Sequence, residues 1–365
     1  MGTLLRKFWQ PVAASTDVEP GKATMVNTMH QWFTLYRGET GEPHLVAQRC
    51  AHRGTELRVG WVEGDCIRCF YHGWKYDPTG QCVEQPAEEK SFAHKIRIEA
   101  HPAHEYAGLI WAYLGEGEPP PFPRRYELER EGVSWVMVQV WPCNWFQQVE
   151  NSIDASHVSF VHREGLFGQV VTEAPPKLEC EETEFGIIQR AIRPGNNVRV
   201  SDWQFPNCNH VVVPRANDAH SGGWVDLFNW KVPIDDDHTR TFIIRSVAAT
   251  GESKHKLEEW ATTRGNYDPS EHHDELFRKY MPDDQANLIA AQDYIAQVAQ
   301  GPIVDRSAER LGNTDAGIIL LRKLFRRELE AIKAGQPTKH WRQRYEPADL
   351  PVPPGISKEP VPLPV

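Results

Sequence analysis

The sequence predicts an α+β chain in two parts, a small all-β N-terminal domain followed by a larger domain that mixes strands with helices. Three observations carry this. Between about residues 30 and 115, short strand-like runs alternate with Gly- and Pro-rich turns. Gly115 to Pro123 (Gly-Glu-Gly-Glu-Pro-Pro-Pro-Phe-Pro) reads as a stiff, extended connector. Beyond it, strand-like segments give way to helical periodicity near the C-terminus. The expected divisions are 1–120, 121–346 and a tail, 347–365, whose seven prolines exclude regular structure.

In chain order, Gln31–Tyr36 and Leu45–Arg49 have strand-like apolar content, separated by Gly38, Gly41 and Pro43. Val62–Gly64, Trp74–Asp77 and Leu109–Leu114 continue the pattern, with Pro78-Thr79-Gly80 as a turn. In the second part, Trp145–Phe160 reads as helical, and strands are expected near 186–193, 209–214, 225–232 and 240–248. Gln285–Gln300 reads as a helix. Asp315–Ala334 reads as an amphipathic one, with Ile318, Leu321, Leu324, Phe325, Leu329 and Ile332 at helical spacing and Gly335 as its cap.

Composition narrows the function. The 365 residues carry a formal charge of −10, so nothing draws the chain to nucleic acid or an anionic membrane. No apolar run is long enough for a transmembrane helix, and residues 1–11 lack a signal-peptide pattern, so a cytoplasmic enzyme is expected. Neither Gly-x-Gly-x-x-Gly nor a P-loop is present, which argues against a tightly bound nucleotide. The seven cysteines, odd in number and unevenly spread, do not look like a disulfide framework. Cys66 reads as a buried thiol.

Two constellations remain. Cys50-Ala-His52 is followed, after sixteen intervening residues, by Cys69-Phe-Tyr-His72. Two thiolates and two imidazoles suit either structural zinc or an iron–sulfur centre. A Rieske centre needs two thiolates on one iron and two imidazoles on the other, and each pair offers one of each. Further on, His157 and His162 lie five residues apart, a spacing that converges only if the helix ends or bends between them. Two histidines and a carboxylate form the usual oxygen-activating iron site. Asp283, Asp284, Asp293, Asp305 and Asp315 are candidates for the carboxylate. Asp293 is preferred because it sits in an apolar helix, where an unpaired charge is costly and metal ligation removes the cost.

The motifs Cys50-Ala-His52-Arg53-Gly54 and Cys69-Phe-Tyr-His72-Gly73-Trp74-Lys75-Tyr76-Asp77 resemble those of the Rieske family. Asp154-x-x-His157-x₄-His162 resembles the iron motif of Rieske non-heme iron ring-hydroxylating oxygenases. Gln292-Asp293, Gly301-Pro-Ile-Val-Asp-Arg306 and Leu311-Gly312 look like the phthalate-dioxygenase-like branch. The resemblance implies an N-terminal Rieske domain and a catalytic domain of antiparallel sheet and helices. It implies a [2Fe–2S] cluster on Cys50, His52, Cys69 and His72, a mononuclear Fe(II) on His157, His162 and a distant aspartate, and O2 as co-substrate. Electrons would come from NAD(P)H through a separate flavin/iron–sulfur reductase. Asp154 would bridge His157 to His72 of a neighbouring subunit, which implies a homo-oligomer, a ring of three.

The expected reaction is hydroxylation, cis-dihydroxylation or O/N-demethylation of an aromatic, carboxylated small molecule. Arg190, Arg193, Arg240 and Arg245, on strand-like segments, are the candidates to hold the carboxylate by paired hydrogen bonds. The competing reading for each is a solvent-facing arginine paired with nearby acids. Two rival functions stand beside the oxygenase: an electron-transfer protein using the Rieske cluster alone, and a non-catalytic module with structural zinc.

Overall fold

The computed structural model describes residues 2–164, 175–194, 197–214, 224–263 and 267–342. The proline-rich tail lies outside the described residues. The chain divides into two compact units, 1–122 and 123–365.

The first unit holds eleven short strands: β1 (Trp9–Ala14), β2 (Ala23–Thr28), β3 (Gln31–Arg37), β4 (Pro43–Ala47), β5 (Trp61–Glu63), β6 (Cys66–Arg68), β7 (Lys75–Tyr76), β8 (Cys82–Glu84), β9 (Ala100–His101), β10 (Ala103–Tyr106) and β11 (Leu109–Tyr113). They form three small sheets, ordered β1-β11-β10, β2-β3-β4-β9 and β5-β6-β7-β8. Tyr36, Val46, Leu57, Ile67, Trp74 and Tyr76 make a common core under the last two. Burying these large side chains contributes most of the local stability and leaves the connecting turns free to vary. Asp77 closes the expected turn by accepting hydrogen bonds from the Thr79 N–H at 2.9 Å and the Gln81 N–H at 3.1 Å.

The second unit is built on a seven-stranded antiparallel sheet. Its strands are β12 (Gly132–Trp141), β13 (Lys177–Glu182), β14 (Gly186–Arg193), β15 (Asn197–Gln204), β16 (Cys208–Pro214), β17 (Trp224–Pro233) and β18 (Thr239–Ala248), in the order β12-β18-β17-β16-β15-β14-β13. The last six form a meander, and β12 pairs along its whole length with β18, from Gly132↔Ala248 to Trp141↔Thr239. Pairing partners share a face, so Ser201, Val211, Leu227 and Arg245 form one row, and Asp202, His210, Phe228 and Ile244 form a row on the other side.

Helices cover the first of these faces. The expected Trp145–Phe160 helix is shorter: it runs from Trp145 to Ile153 and ends at Asp154, whose ψ of 100° leaves the helical region. Asn144 caps its start, accepting from the Phe146 N–H at 3.0 Å. A one-turn helix, Val158–Val161, follows. The Gln285–Val298 and Ala316–Lys333 helices fall where the periodicity places them. Gln147 ties the Trp145–Ile153 helix to the chain beyond Gln285–Val298, donating to the Gly301 carbonyl at 3.1 Å and accepting from the Val304 N–H at 2.9 Å. Glu150 takes Arg306 at 2.9 Å and Arg322 at 2.6 Å.

Candidate metal centres

The two Cys/His loops are built alike. Each is a six-residue hairpin tip, bracketed by Arg49↔Glu56 in one case and Arg68↔Lys75 in the other. In the first, the Cys50 N–H donates to Thr55 O at 2.9 Å and the Gly54 N–H to Cys50 O at 3.0 Å. In the second, the Cys69 N–H donates to Trp74 O at 2.8 Å and the Gly73 N–H to Cys69 O at 3.0 Å. The turn needs a left-handed residue at its fifth position, supplied by Gly54 (φ +76°) and Gly73 (φ +74°). That requirement explains the glycines.

Cys50 and Cys69 are both buried, and burial pushes the Cys50 thiol up. Tyr76 Oη lies 3.1 Å from Cys50 Sγ and accepts from the Ala51 N–H at 3.2 Å. His52 and His72 meet with ring centroids 4.5 Å apart, and Trp74 stacks on His52 at 4.7 Å. His52 Nδ1 is buried with no hydrogen-bond partner among the described residues. Two buried thiols beside two adjoining imidazoles offer the donor set that a Rieske cluster takes, two thiolates for one iron and two imidazoles for the other. Cys66, expected to be buried, is half-buried on β6.

In the second unit, the helix break at Asp154 solves the spacing problem. His157 precedes the one-turn helix and His162 follows it, so both rings turn toward Asp293 on the Gln285–Val298 helix. Nε2 of each histidine lies 3.5 Å from Asp293 Oδ1. That oxygen is buried and accepts no hydrogen bond among the described residues. Three converging donor atoms around an unsatisfied carboxylate oxygen fit a divalent metal. Only one outer ring nitrogen is held: Gln292 Oε1 lies 3.0 Å from His162 Nδ1, whereas Asp154 Oδ2 stands 3.8 Å from His157 Nδ1, which has no hydrogen-bond partner among the described residues. Burial lowers His162, but Asp293 and Gln292 outweigh it, so its net shift is upward; His157 is held down by burial. Burial works against the Asp293 carboxylate, yet His162 and His157 bring it down to about 2. Of the other aspartate candidates, Asp284 caps the Gln285–Val298 helix and Asp305 a short helical turn, accepting from Asn287 N–H and Ser307 N–H.

A cavity of about 170 Å³ opens beside the triad, lined by Trp141 on β12, Arg199 and Ser201 on β15, Asn209, Val211 and Val213 on β16, Leu227, Asn229 and Lys231 on β17, and the metal-site residues. This is comparable to a cavity of about 150 Å³ that takes up benzene. None of Arg190, Arg193, Arg240 and Arg245 lines it. Arg190 lies 3.7 Å from Glu181 near the surface, and Arg240 and Arg245 are each engaged by other groups. Arg193 is buried on β14, on the same face as Arg199. Arg199 and Lys231 were not anticipated. Burial brings Arg199 down to about 10 and Lys231 down to about 8.

A cluster-type Cys/His site and a two-histidine, one-carboxylate site on these two folds define a Rieske non-heme iron oxygenase. Residues 8–102 match the Rieske [2Fe-2S] domain and residues 112–350 match the LigXa C-terminal-domain-like family, and the chain belongs to this family. It is 31% identical to the 5,5'-dehydrodivanillate O-demethylase oxygenase subunit of Sphingobium sp. SYK-6, over 93% of this chain and 79% of that one. It is 27% identical to the phthalate 4,5-dioxygenase oxygenase subunit of Pseudomonas putida, over 92% of this chain and 84% of the relative. The terminal oxygenase of carbazole 1,9a-dioxygenase from Novosphingobium sp. KA1 shares the fold, with a TM-score of 0.66 at 21% identity over 94% and 95% of the two chains. The protein is therefore the oxygenase component of a multicomponent system, with a Rieske cluster, a mononuclear iron and O2 as its redox equipment. The electron-transfer-only and structural-zinc readings fall away. No helix among the described residues is long and apolar enough to cross a membrane.

Proposed function

We propose that this oxygenase acts on a single-ring aromatic acid, bound between the iron triad and the sheet with its carboxylate toward Arg199. Cys50, His52, Cys69 and His72 hold the cluster, and His157, His162 and Asp293 hold the iron. The observation that carries the reading is the convergence of three donor atoms beside a ring-sized cavity whose lining includes the Arg199 guanidinium. When bound, the iron activates O2 with electrons relayed by the cluster. The chain's own residues do the rest. Gln292 orients the His162 imidazole, Asp154 stands beside that of His157, and Trp141, Val211, Val213 and Leu227 keep water from the ring.

Arg199 and Arg193 support the anionic substrate. They lie on one sheet face; burial lowers both, and Arg193 lowers Arg199 further, with Asp154 and Asp293 offsetting this only in part. Arg199 Nε and Arg193 Nε and Nη2 are buried without partners among the described residues. Unpaired buried cations are costly, and an incoming carboxylate offsets that cost. Both relatives named above take their names from aromatic acids or their demethylation. Electrons arrive from a separate flavin/iron–sulfur reductase and pass from His72 of one subunit through Asp154 to the iron of its neighbour in a trimer.

The test compares an aromatic carboxylate with its neutral amide. In Arg199→Gln, affinity for the carboxylate should fall by about 2–5 kcal/mol while the amide is nearly unaffected. Equal treatment of both compounds by Arg199→Gln and by Arg193, Arg190, Arg240 and Arg245 variants rejects an arginine-held anion.

A further inference from the structure

Beside the cavity stands an aromatic pair that substrate binding does not require. Trp141 lines the cavity with His157, His162 and Asp293, and is itself buried. Its far side meets Tyr294 edge-on, with ring centroids 5.3 Å apart at 90°. Tyr294 follows Asp293 on the same helix and is wholly buried. Its hydroxyl lies 2.8 Å from Nδ1 of His273, and His273 is exposed, stacked on Phe277 at 4.4 Å. The series runs from the iron cavity to solvent in three side chains.

We propose that Trp141, Tyr294 and His273 form an escape path that carries oxidising equivalents out of the iron cavity when oxygen is activated with no substrate in place. The proton inventory gives the path its direction. The Trp141 indole N–H has no acceptor among the described residues, so an oxidised Trp141 keeps its proton and its charge in a buried site. Tyr294 has an acceptor at hydrogen-bond distance. One electron passes from Tyr294 through the Trp141 ring to the O2-derived oxidant in the cavity, which is reduced by one electron, and the phenolic proton moves to His273 Nδ1. The product is a neutral tyrosyl radical beside an imidazolium open to water. A one-electron reductant in solution, such as ascorbate or a thiol, restores the phenol as His273 returns the proton. Cys143 packs in the same apolar cluster, but its sulfur receives a hydrogen bond from Gln148 at 3.6 Å and no proton acceptor for its S–H is seen among the described residues.

The proposal rests on oxygen activation at the His157–His162–Asp293 site. The test uses iron-loaded holoenzyme with a surrogate reductase and air, without substrate. Radicals are read by freeze-quench EPR, and side-chain oxidation is mapped by mass spectrometry. The parent should show a tyrosyl signal that narrows when tyrosine is ring-deuterated. Tyr294→Phe should lose that signal, with Trp141 oxidation and inactivation per O2 consumed both rising several-fold. His273→Gln, a surface change that keeps the fold, should lower the radical yield several-fold. The path is overturned if the signal survives unchanged in both variants. It is equally overturned if oxidation concentrates on Cys143, or if the parent consumes oxygen with neither a tyrosyl radical nor modification at 141 or 294. Asp293→Ala protein is the separate control: oxygen consumption at the parent rate there refutes the iron site and not the path.

Discussion

At the scale of single residues, Asp154 and Asp293 are both acidic and both near His157, yet their geometry separates their roles. Asp293 Oδ1 faces two Nε2 atoms, while Asp154 stands beside the outer nitrogen of His157 and accepts from the Ser156 N–H at 2.8 Å. Asp293→Ala should therefore lose mononuclear iron, seen by metal analysis, while the visible spectrum of the Rieske cluster stays intact. Asp154→Asn should retain both metal centres and lose product formation, with a reduced cluster that stays reduced when substrate and oxygen are added. Rapid cluster oxidation in Asp154→Asn would remove Asp154 from the electron path. The sequence made both aspartates visible, because each lies beside a histidine or inside an apolar helix. Arg199 was invisible: β15 reads Asn-Val-Arg-Val-Ser-Asp-Trp-Gln, and nothing in that polar alternation says which face is enclosed.

At the scale of elements, legibility followed periodicity. The β14, β16, β17 and β18 segments and the two long C-terminal helices carry patterns of one sign and fell close to their expected bounds. The edge strand β13, Lys-Leu-Glu-Cys-Glu-Glu, is two-thirds charged because its outer face meets solvent, and its pattern is that of a surface loop. β12 is apolar enough but stands far in sequence from β18, its partner. The far face of the sheet was equally hidden. There His210 Nε2 lies 2.8 Å from Asp226 Oδ1, and Arg130 also pairs with Asp226. Burial alone would raise the Asp226 carboxyl; His210 and Arg130 overcome it, and the net shift is downward. A depressed folded pKa gives stability that is complete above the unfolded value, about 4, and is lost as pH falls through the folded value. Asp226→Asn should cost about 3–5 kcal/mol at neutral pH. Denaturant titrations should show the difference from the parent shrinking below about pH 4. A constant difference down to pH 2 would mean that packing, not charge, sets it.

At the scale of the whole molecule, the question is whether electrons cross between chains. A Cys69→Ala chain lacks a cluster thiolate, and a His157→Ala chain lacks an iron ligand, so each alone should be inactive. Co-expressed, they should assemble mixed oligomers in which an intact cluster on one subunit serves an intact iron on the next. Partial recovery of product, in particles whose mass by sedimentation is three chains, is the expected outcome. Mixed oligomers with no activity would confine electron transfer to a single chain. The two-part organisation was readable from turn density and the proline-rich connector, but a neighbour's contribution was suggested only by the resemblance of the Asp154 motif, since it depends on surfaces and not on periodicity.

The two cluster turns share a backbone but not a neighbourhood, and this sets unequal limits on how each can drift under mutation. A methyl group added at Gly54 meets nothing within 4 Å, whereas at Gly73 it comes within 2.8 Å of Pro86 Cγ. Both positions resist change through their positive φ, but only the second adds a collision. Asparagine, which tolerates the left-handed region, gives position 54 an exit that position 73 lacks. A randomised library selected for the red-brown colour of the cluster would therefore recover substitutions in the first loop and glycine alone in the second. Two turns that look like copies of one another are thus not equally evolvable, and the constraint comes from a proline outside the turn itself.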